Sequence, residues 1–385
     1  MKTGTALQLA LELAPYALVG VTVFTAALGS PALAPISAIV VLALLLNAAL
    51  GQCDPATWFL GDAPRSAYAG KVVWITGASQ GLGEELALHL ASLGARLILS
   101  SRREVTLKSV CDAAKAAGAA DARPLILDAR AGSDAMRRKG AEALKLAEDM
   151  IASASSSSSS ATPGVDYLFH VAGGSQHAAA EDTADEVDRD MFELNVLSAI
   201  GLTKAILPSM LSRREGTVVA VGSMAVKCPA PGQATYSATK AALASFCHSL
   251  RGEVADRGVR VTVAHPGPIA TGLGGQTRVI FGATLAQSTC DTSEGDSAAG
   301  GDGDAPKKGA KVGKKEKRLD AGLVARRIAA GAAWGLDEVV LATQPIMLLR
   351  NFMQYVPTVG YRVLNKVGPK RTRAARAGVS MYELK

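Results

Sequence analysis

Tyr236 and Lys240 stand four residues apart in ATYSATKAAL, and Ser223 precedes Tyr236 by 13 positions. Residues four apart on a helix share a face, so the lysine ammonium lies near the phenol. A free phenol ionises at about pH 10, too high for ready proton exchange near neutrality. A neighbouring cation favours the phenolate and pulls that value down. Such a tyrosine gives a proton to a carbonyl oxygen or takes one from an alcohol. Ser223 ends the apolar run TVVAVGS and can hydrogen-bond the same oxygen. A tyrosine and lysine at this spacing are also met on ordinary helices, with the lysine in water and the tyrosine half-buried.

The elements that would position these groups begin upstream, at KVVWITGASQGLGEELALHLASLGARLILSSRRE. The pattern predicts a strand over 71–76, a turn, a helix over Glu84–Leu93 and a strand over Arg96–Leu99. Thr76, Gly77, Gly81 and Gly83 form T-G-x-x-x-G-x-G, with Ser79, Gln80 and Leu82 between. A glycine-rich turn between strand and helix lets a pyrophosphate approach the backbone, and the helix N-terminus supplies N–H groups and partial positive charge. NAD binding asks for an acid about 20 residues beyond the glycines. This chain has Ser100-Ser101-Arg102-Arg103 there. An arginine suits a 2′-phosphate through a charge-assisted pair. NADP(H) is therefore the expected cofactor, with Arg102 as first contact and Arg103 as second. Glu104 keeps NAD(H) open.

Together these motifs resemble the short-chain dehydrogenase/reductase family over most of residues 70–272 and again near the C-terminus. Thr76, Gly77, Gly81 and Gly83 match its cofactor glycines. Asp128, ending LILD, matches the acid that contacts adenine. Asn195 in FELNVL matches its fourth catalytic residue, and Ser223, Tyr236 and Lys240 match its triad. Pro266-Gly267-Pro268-Ile269 matches the turn beside the nicotinamide. The resemblance implies further cofactor contacts at Ser79, Gln80, Leu82, Ala172, Gly173, Ile269 and Thr271. It also implies that Tyr236 is the acid/base, that Lys240 lowers its pKa and holds the nicotinamide ribose, that Ser223 orients the substrate oxygen and that Asn195 holds a proton-relaying water. The implied fold is α/β, a Rossmann-type doubly wound parallel sheet of about seven strands.

One element departs. The chain reads His170-Val171-Ala172-Gly173-Gly174 where the family usually has Asn-Asn-Ala-Gly, whose asparagines help tie the sheet. A local packing change is expected, with His170 taking part of that hydrogen bonding and Val171 none. KVVWITGAS, GEELA, LGARLILSSRR and LTKAILPSML, with the C-terminal stretch after EVVLAT, are similar to the membrane-anchored dehydrogenase/reductase member seven group. That likeness, and the wider one to 11β-hydroxysteroid dehydrogenases, implies a lipophilic carbonyl substrate such as a steroid or retinoid. A 3-ketosphinganine, other lipid or pigment reductase stays open, as does a silent membrane scaffold that kept the fold.

The flanks suggest where the chemistry happens. Residues 6–51 are almost uninterrupted apolar chain, and ALAPISAIVVLALLLNAAL is close to the roughly 20 residues that span a bilayer. Residues 1–60 are therefore expected to anchor the chain with one or two spanning helices. A catalytic domain over 68–350 follows, with a serine-rich insertion at 152–164 and a low-complexity insertion at 286–318. Residues 351–385 read as an amphipathic, basic segment that could lie on the bilayer and roof the substrate entrance, or pack on the sheet as a core helix. The expected setting is the endoplasmic reticulum membrane, with a plastid membrane as alternative. The net charge of +7 fits attraction to anionic lipid, and KKGAKVGKKEKR reads first as the solvated tail of a segment over the substrate, with lipid head groups as the other reading. Cys53, Cys111, Cys228, Cys247 and Cys290 are odd in number and scattered, which suits neither a disulfide framework nor a metal site. Aromatic residues make up 4% and no recognition motif is present, so no nucleic-acid partner is expected. The expected partners are a lipophilic small molecule, membrane lipid and a second copy of the chain.

Overall fold

The computed structural model describes residues 53, 55–153, 163–270, 280–287 and 318–377. The expected anchor up to residue 52, the serine-rich stretch, most of 286–318, Thr271 and the end of the tail lie outside these. Seven parallel strands form the central sheet: β1 (Val72–Thr76), β2 (Arg96–Ser100), β3 (Asp121–Pro124), β4 (Tyr167–His170), β5 (Gly216–Val221), β6 (Val259–Pro266) and β7 (Glu338–Leu341). Their spatial order is β7-β6-β5-β4-β1-β2-β3. The chain winds one way from β1 to β3 and the other way from β4 to β7. This leaves a crevice beyond the ends of β1 and β4, where open α/β sheets bind ligands.

The strands read as continuous apolar runs because both faces are buried. Along β1 the alternation is strict. Val73 and Ile75 join a core with Leu86 and Leu90 of α1 (Gly81–Ser92), Leu107 of α2 (Glu104–Ala116) and Ile328 of α7 (Ala321–Trp334). Val72 and Trp74 face the opposite core, with Met136 of α3 (Ser133–Ala152) and Ile206 and Leu243 from the helices that follow β4 and β5. Register brings Thr76 opposite both Ser100 and His170, and His170 opposite Ala220. The strand ends that carry site residues are thus aligned at one edge.

After β4, α4 (Asp185–Phe192) runs through a wide π turn (Glu193–Leu197) into α5 (Ser198–Arg213). Among the described residues this is the one helix long and apolar enough to cross a membrane. Its Leu202, Ile206 and Met210 pack against the sheet, so its apolarity serves the core. α6 (Ala234–Glu253) follows β5. After β7 come α8 (Ile346–Tyr355) and α9 (Pro357–Arg376). Only Met347 of α8 and Gly360 and Ala374 of α9 are buried. The core-helix reading of this segment therefore fails, because Leu348, Phe352, Val359, Val363 and Val367 all face solvent.

Candidate active site

The glycine turn is built by close backbone contact. Gly77 has φ +71°, and a Cβ there would lie 2.7 Å from the backbone of Ala172. A Cβ on Gly83 would meet the carbonyl oxygen of Gly77 at 2.1 Å. Only glycine fits at both positions. The turn is thereby held against the loop after β4, and the N-terminus of α1 faces the crevice.

Thr76 ties β1 to β4 in place of the missing asparagines. Its Oγ1 donates to the Phe169 carbonyl at 3.3 Å and accepts from the N–H groups of Val171 and Ala172 at 3.2 and 3.3 Å. His170 is buried and its Nε2 meets Thr203 Oγ1 on α5 at 2.8 Å. Burial, with a smaller contribution from Lys240, holds the imidazole down to about 3, so it is neutral at physiological pH. His170 thus supplies a hydrogen bond, but to the helix layer rather than along the sheet.

At the end of β2, Arg102 and Arg103 line the same crevice as the glycines. Arg103 Nη2 donates to Gln80 Oε1 at 2.6 Å, which joins the second strand to the glycine turn. Asp128 Oδ1 accepts from the Arg130 N–H at 3.0 Å, and the Arg130 guanidinium reaches Asp190 at 3.2 Å.

The other end of the crevice carries the triad. Ser223 follows β5 and caps a short turn: its Oγ accepts from Ala225 N–H at 3.1 Å, which leaves its own proton available. Tyr236 sits in the first turn of α6 and packs with Val187, Met191, Leu194 and Phe281. Lys240, one turn on, is 5% exposed, and its Nζ donates to the Val221 carbonyl at 2.9 Å. Burial lowers its pKa to about 8, so the ammonium survives at neutral pH.

Asn195 lies in the π turn, a deformation frequent at functional sites. Its Nδ2 donates to the Gly174 carbonyl and to Thr239 Oγ1, both at 3.0 Å, and its Oδ1 accepts from Gly174 N–H at 2.8 Å. Both amide protons are engaged by protein. The side chain is a bracket between the loop after β4 and α6, and only a spare lone pair on Oδ1 is left for a water. Gly173 fits beneath this bracket: a Cβ there would lie 2.9 Å from Asn195 Oδ1 and 3.1 Å from Lys240 Nζ.

A single cleft of about 520 Å³ joins the two ends. Gly77, Ser79, Gln80, Gly81, Leu82, Gly83, Arg102, Arg103, Asp128, Ala172, Gly173, Ser223, Tyr236, Lys240, Pro266, Gly267 and Ile269 all line it. Thr76 and Asn195 stand behind that lining. Its roof comes from α8 and α9, through Ile346, Leu349, Val363, Leu364 and Val367.

The short chain dehydrogenase family model matches residues 71–279. The chain belongs to that family. Human dehydrogenase/reductase SDR family member 7 is 30% identical over 320 residues, covering 83% of this chain and 84% of its own length. The Bos taurus member 7B is 36% identical over 206 residues, 52% of this chain and 59% of its length. A solved short-chain dehydrogenase from Streptomyces avermitilis superposes with a TM-score of 0.57 at 26% identity, covering 78% of this chain and 97% of its own. This short-chain dehydrogenase/reductase is thus an oxidoreductase similar to members 7 and 7B.

Several residues of this dehydrogenase/reductase site carry no sequence signal. Gln176 is fully buried, and its Oε1 accepts from the N–H groups of Thr235 and Tyr236 at 3.0 and 3.3 Å, fixing the start of α6. Arg371 of α9 donates from Nε to the Pro231 carbonyl at 3.0 Å and lines the cleft. Arg376 pairs with Asp182 at 2.6 Å and with Glu181. These two arginines tie α9 to the loop before α6 and to the turn before α4, and nothing in their local sequence marks them.

Proposed function

We propose that this chain is a membrane-associated, NADP(H)-dependent oxidoreductase that interconverts a lipophilic carbonyl and its alcohol. One observation carries the reading: Ser223, Tyr236 and the buried Lys240 share a single cleft with the glycine turn and Arg102. The cradle suits a dinucleotide, since a side chain at position 77 or 83 would fill it. Arg102 and Arg103 favour a 2′-phosphate, with Arg103 already braced by Gln80.

When bound, the nicotinamide supplies or accepts the hydride. In reduction, Tyr236 gives its phenolic proton to the carbonyl oxygen while the Ser223 hydroxyl hydrogen-bonds that oxygen. The Lys240 ammonium, desolvated and fixed on the Val221 carbonyl, favours the phenolate left behind. Asn195 keeps α6 and the loop after β4 in register around Lys240.

A lipophilic substrate is supported by the apolar roof. Membrane association is supported at both ends of the chain. The apolar stretch 6–51 leads to Cys53, whose backbone pairs with Leu341 at the end of β7, beside the point where α8 departs. Phe352, Tyr355, Val356, Val359 and Tyr361 around the junction of α8 and α9 expose apolar surface outside the cleft lining, with Arg362 and Lys366 next in the chain. An apolar patch with basic neighbours suits an anionic bilayer surface.

The test is Tyr236→Phe in the detergent-solubilised full chain, assayed by NADPH oxidation with a panel of lipophilic ketones. Turnover falls by roughly 100- to 10,000-fold, the usual worth of a general acid, while NADPH still binds. A near-wild-type rate refutes the assignment.

A further inference from the structure

We propose that Glu338 is a positioning residue that clamps three site-bearing segments to the last strand of the sheet. The proposal rests on the reading of Ser223, Tyr236 and Lys240 as the reacting side chains. Glu338 opens β7 and lies outside the residues matched by the family model. Its Oε1 is 2.9 Å from Lys227 Nζ, 3.2 Å from His248 Nε2 and 3.5 Å from His265 Nε2. Each partner belongs to a different segment. Lys227 ends the short turn that Ser223 caps. His248 lies two turns beyond Lys240 on α6. His265 immediately precedes the Pro266-Gly267 turn.

The proton positions follow from the neighbours. Arg251 Nη1 lies 3.1 Å from His248 Nδ1 and can only donate. Nδ1 must accept, so the proton of the neutral ring sits on Nε2 and points at Glu338. Arg251 is itself fixed by the carbonyls of Val261 and Asp337 at 2.9 and 2.6 Å. His265 is fully buried, and neither ring nitrogen has a well-aligned hydrogen-bond partner. Its Nε2 stands 3.5 Å from the Glu338 carboxylate. On the other side its Nδ1 underlies Gly222, where a Cβ would come within 3.0 Å. The ring thus forms the floor beneath Gly222, the residue before Ser223, and the Gly222 N–H ties that floor to Ala264 O at 2.7 Å.

Burial raises the Glu338 carboxyl, but His265 and the Lys227 ammonium outweigh it and hold the group well below the usual carboxylate range. The two imidazoles and the carboxylate offer three atoms within 4.8 Å, a spacing that could hold a metal. Lys227 already occupies the same carboxylate oxygen, so the cation of this cluster is the ammonium. Removing the charge at 338 frees the Ser223 turn and the nicotinamide-side turn together, while the glycine turn across the sheet stays in place.

The experiment uses the full chain in detergent, with E338Q, K227M, the double variant and E338D. Hydrogen exchange read by mass spectrometry on peptides containing Ser223–Lys227 and His265–Gly267 should quicken at least fivefold in E338Q, with the α1 peptide unchanged. NADPH-dependent kcat should fall tenfold or more, with KM for NADPH within threefold. E338D, which keeps the charge, should recover much of the loss, and the double variant should be no worse than E338Q. Unchanged exchange in either turn, additive losses in the double variant, or one equivalent of zinc in the purified protein would overturn the clamp. An active Tyr236→Phe variant would sink the catalytic reading instead, and the exchange data still decide whether the clamp exists.

Discussion

Lys240→Met isolates the cost of burying a cation for chemistry. Methionine has similar length and needs no solvation, so packing is kept. Burial brings the lysine from 10.5 to about 8. That fall corresponds to roughly 3 kcal/mol of stability withheld from the native state at neutral pH. The sign follows from proton uptake. Below pH 8 both folded and unfolded chains carry the proton, and the full cost is present. As pH rises toward 10.5 the folded chain has already lost its proton while the unfolded chain still holds one, so the cost is relieved. The variant has no such dependence. It also loses the hydrogen bond to the Val221 carbonyl, a cost of about 1–3 kcal/mol that is present at every pH. Urea unfolding in detergent at pH 7 and pH 10 therefore separates the two terms. The stability of the parent relative to Lys240→Met should rise by roughly 2–3 kcal/mol between those pH values. The variant should be inactive throughout. Parallel pH profiles would show that the ammonium is not desolvated and would remove the physical basis given to the tyrosine.

Arg102→Ala should raise KM for NADPH by roughly 10- to 100-fold, the worth of a charge-assisted hydrogen bond, and leave KM for NADH within about twofold. Equal effects on the two cofactors would refute the 2′-phosphate role. Thr203→Val leaves the buried Nε2 of His170 without its partner. The expected cost of about 1–3 kcal/mol lowers the melting temperature by roughly 2–12 °C. NADPH affinity should not change, and an affinity loss would mean that His170 belongs to the cofactor site. Asp at Val356 and Val359 should weaken binding of a chain truncated before Cys53 to anionic vesicles, with thermal stability unchanged because both side chains face solvent outside the cleft. Undiminished binding would rule out this patch as the lipid contact.

The parts legible in the sequence are those with short-range rules. The glycine turn shows because two close backbone contacts forbid a Cβ, and the penalty falls on positions six apart in one turn. The strands show because burial on both faces demands unbroken apolar runs, as in VVWIT and GTVVAV. The loss of both asparagines after β4 was visible, but its remedy was not. Thr76 takes over the tie from 95 residues away, through a hydroxyl already accounted for by the glycine motif. Asn195 was legible as a residue, whereas its engagement by Gly174 and Thr239 depends on three segments meeting. For the C-terminal segment, amphipathicity alone suits a core helix and a surface helix equally, and the choice rests on which face finds a partner.

By itself the sequence determined the local pattern: a glycine turn between strand and helix, a tyrosine and lysine on one helix face, and a pair of arginines after the second strand. Those follow from 3.6-residue and two-residue periodicities and from what glycine alone permits. Tertiary structure decided that these groups share one cleft, that Lys240 is buried, and that α8 and α9 close the cleft while leaving other apolar side chains outside. It also joined Lys227 to Glu338 across 111 residues. Burial and long-range pairing are properties of the packed chain, and no window of residues carries them.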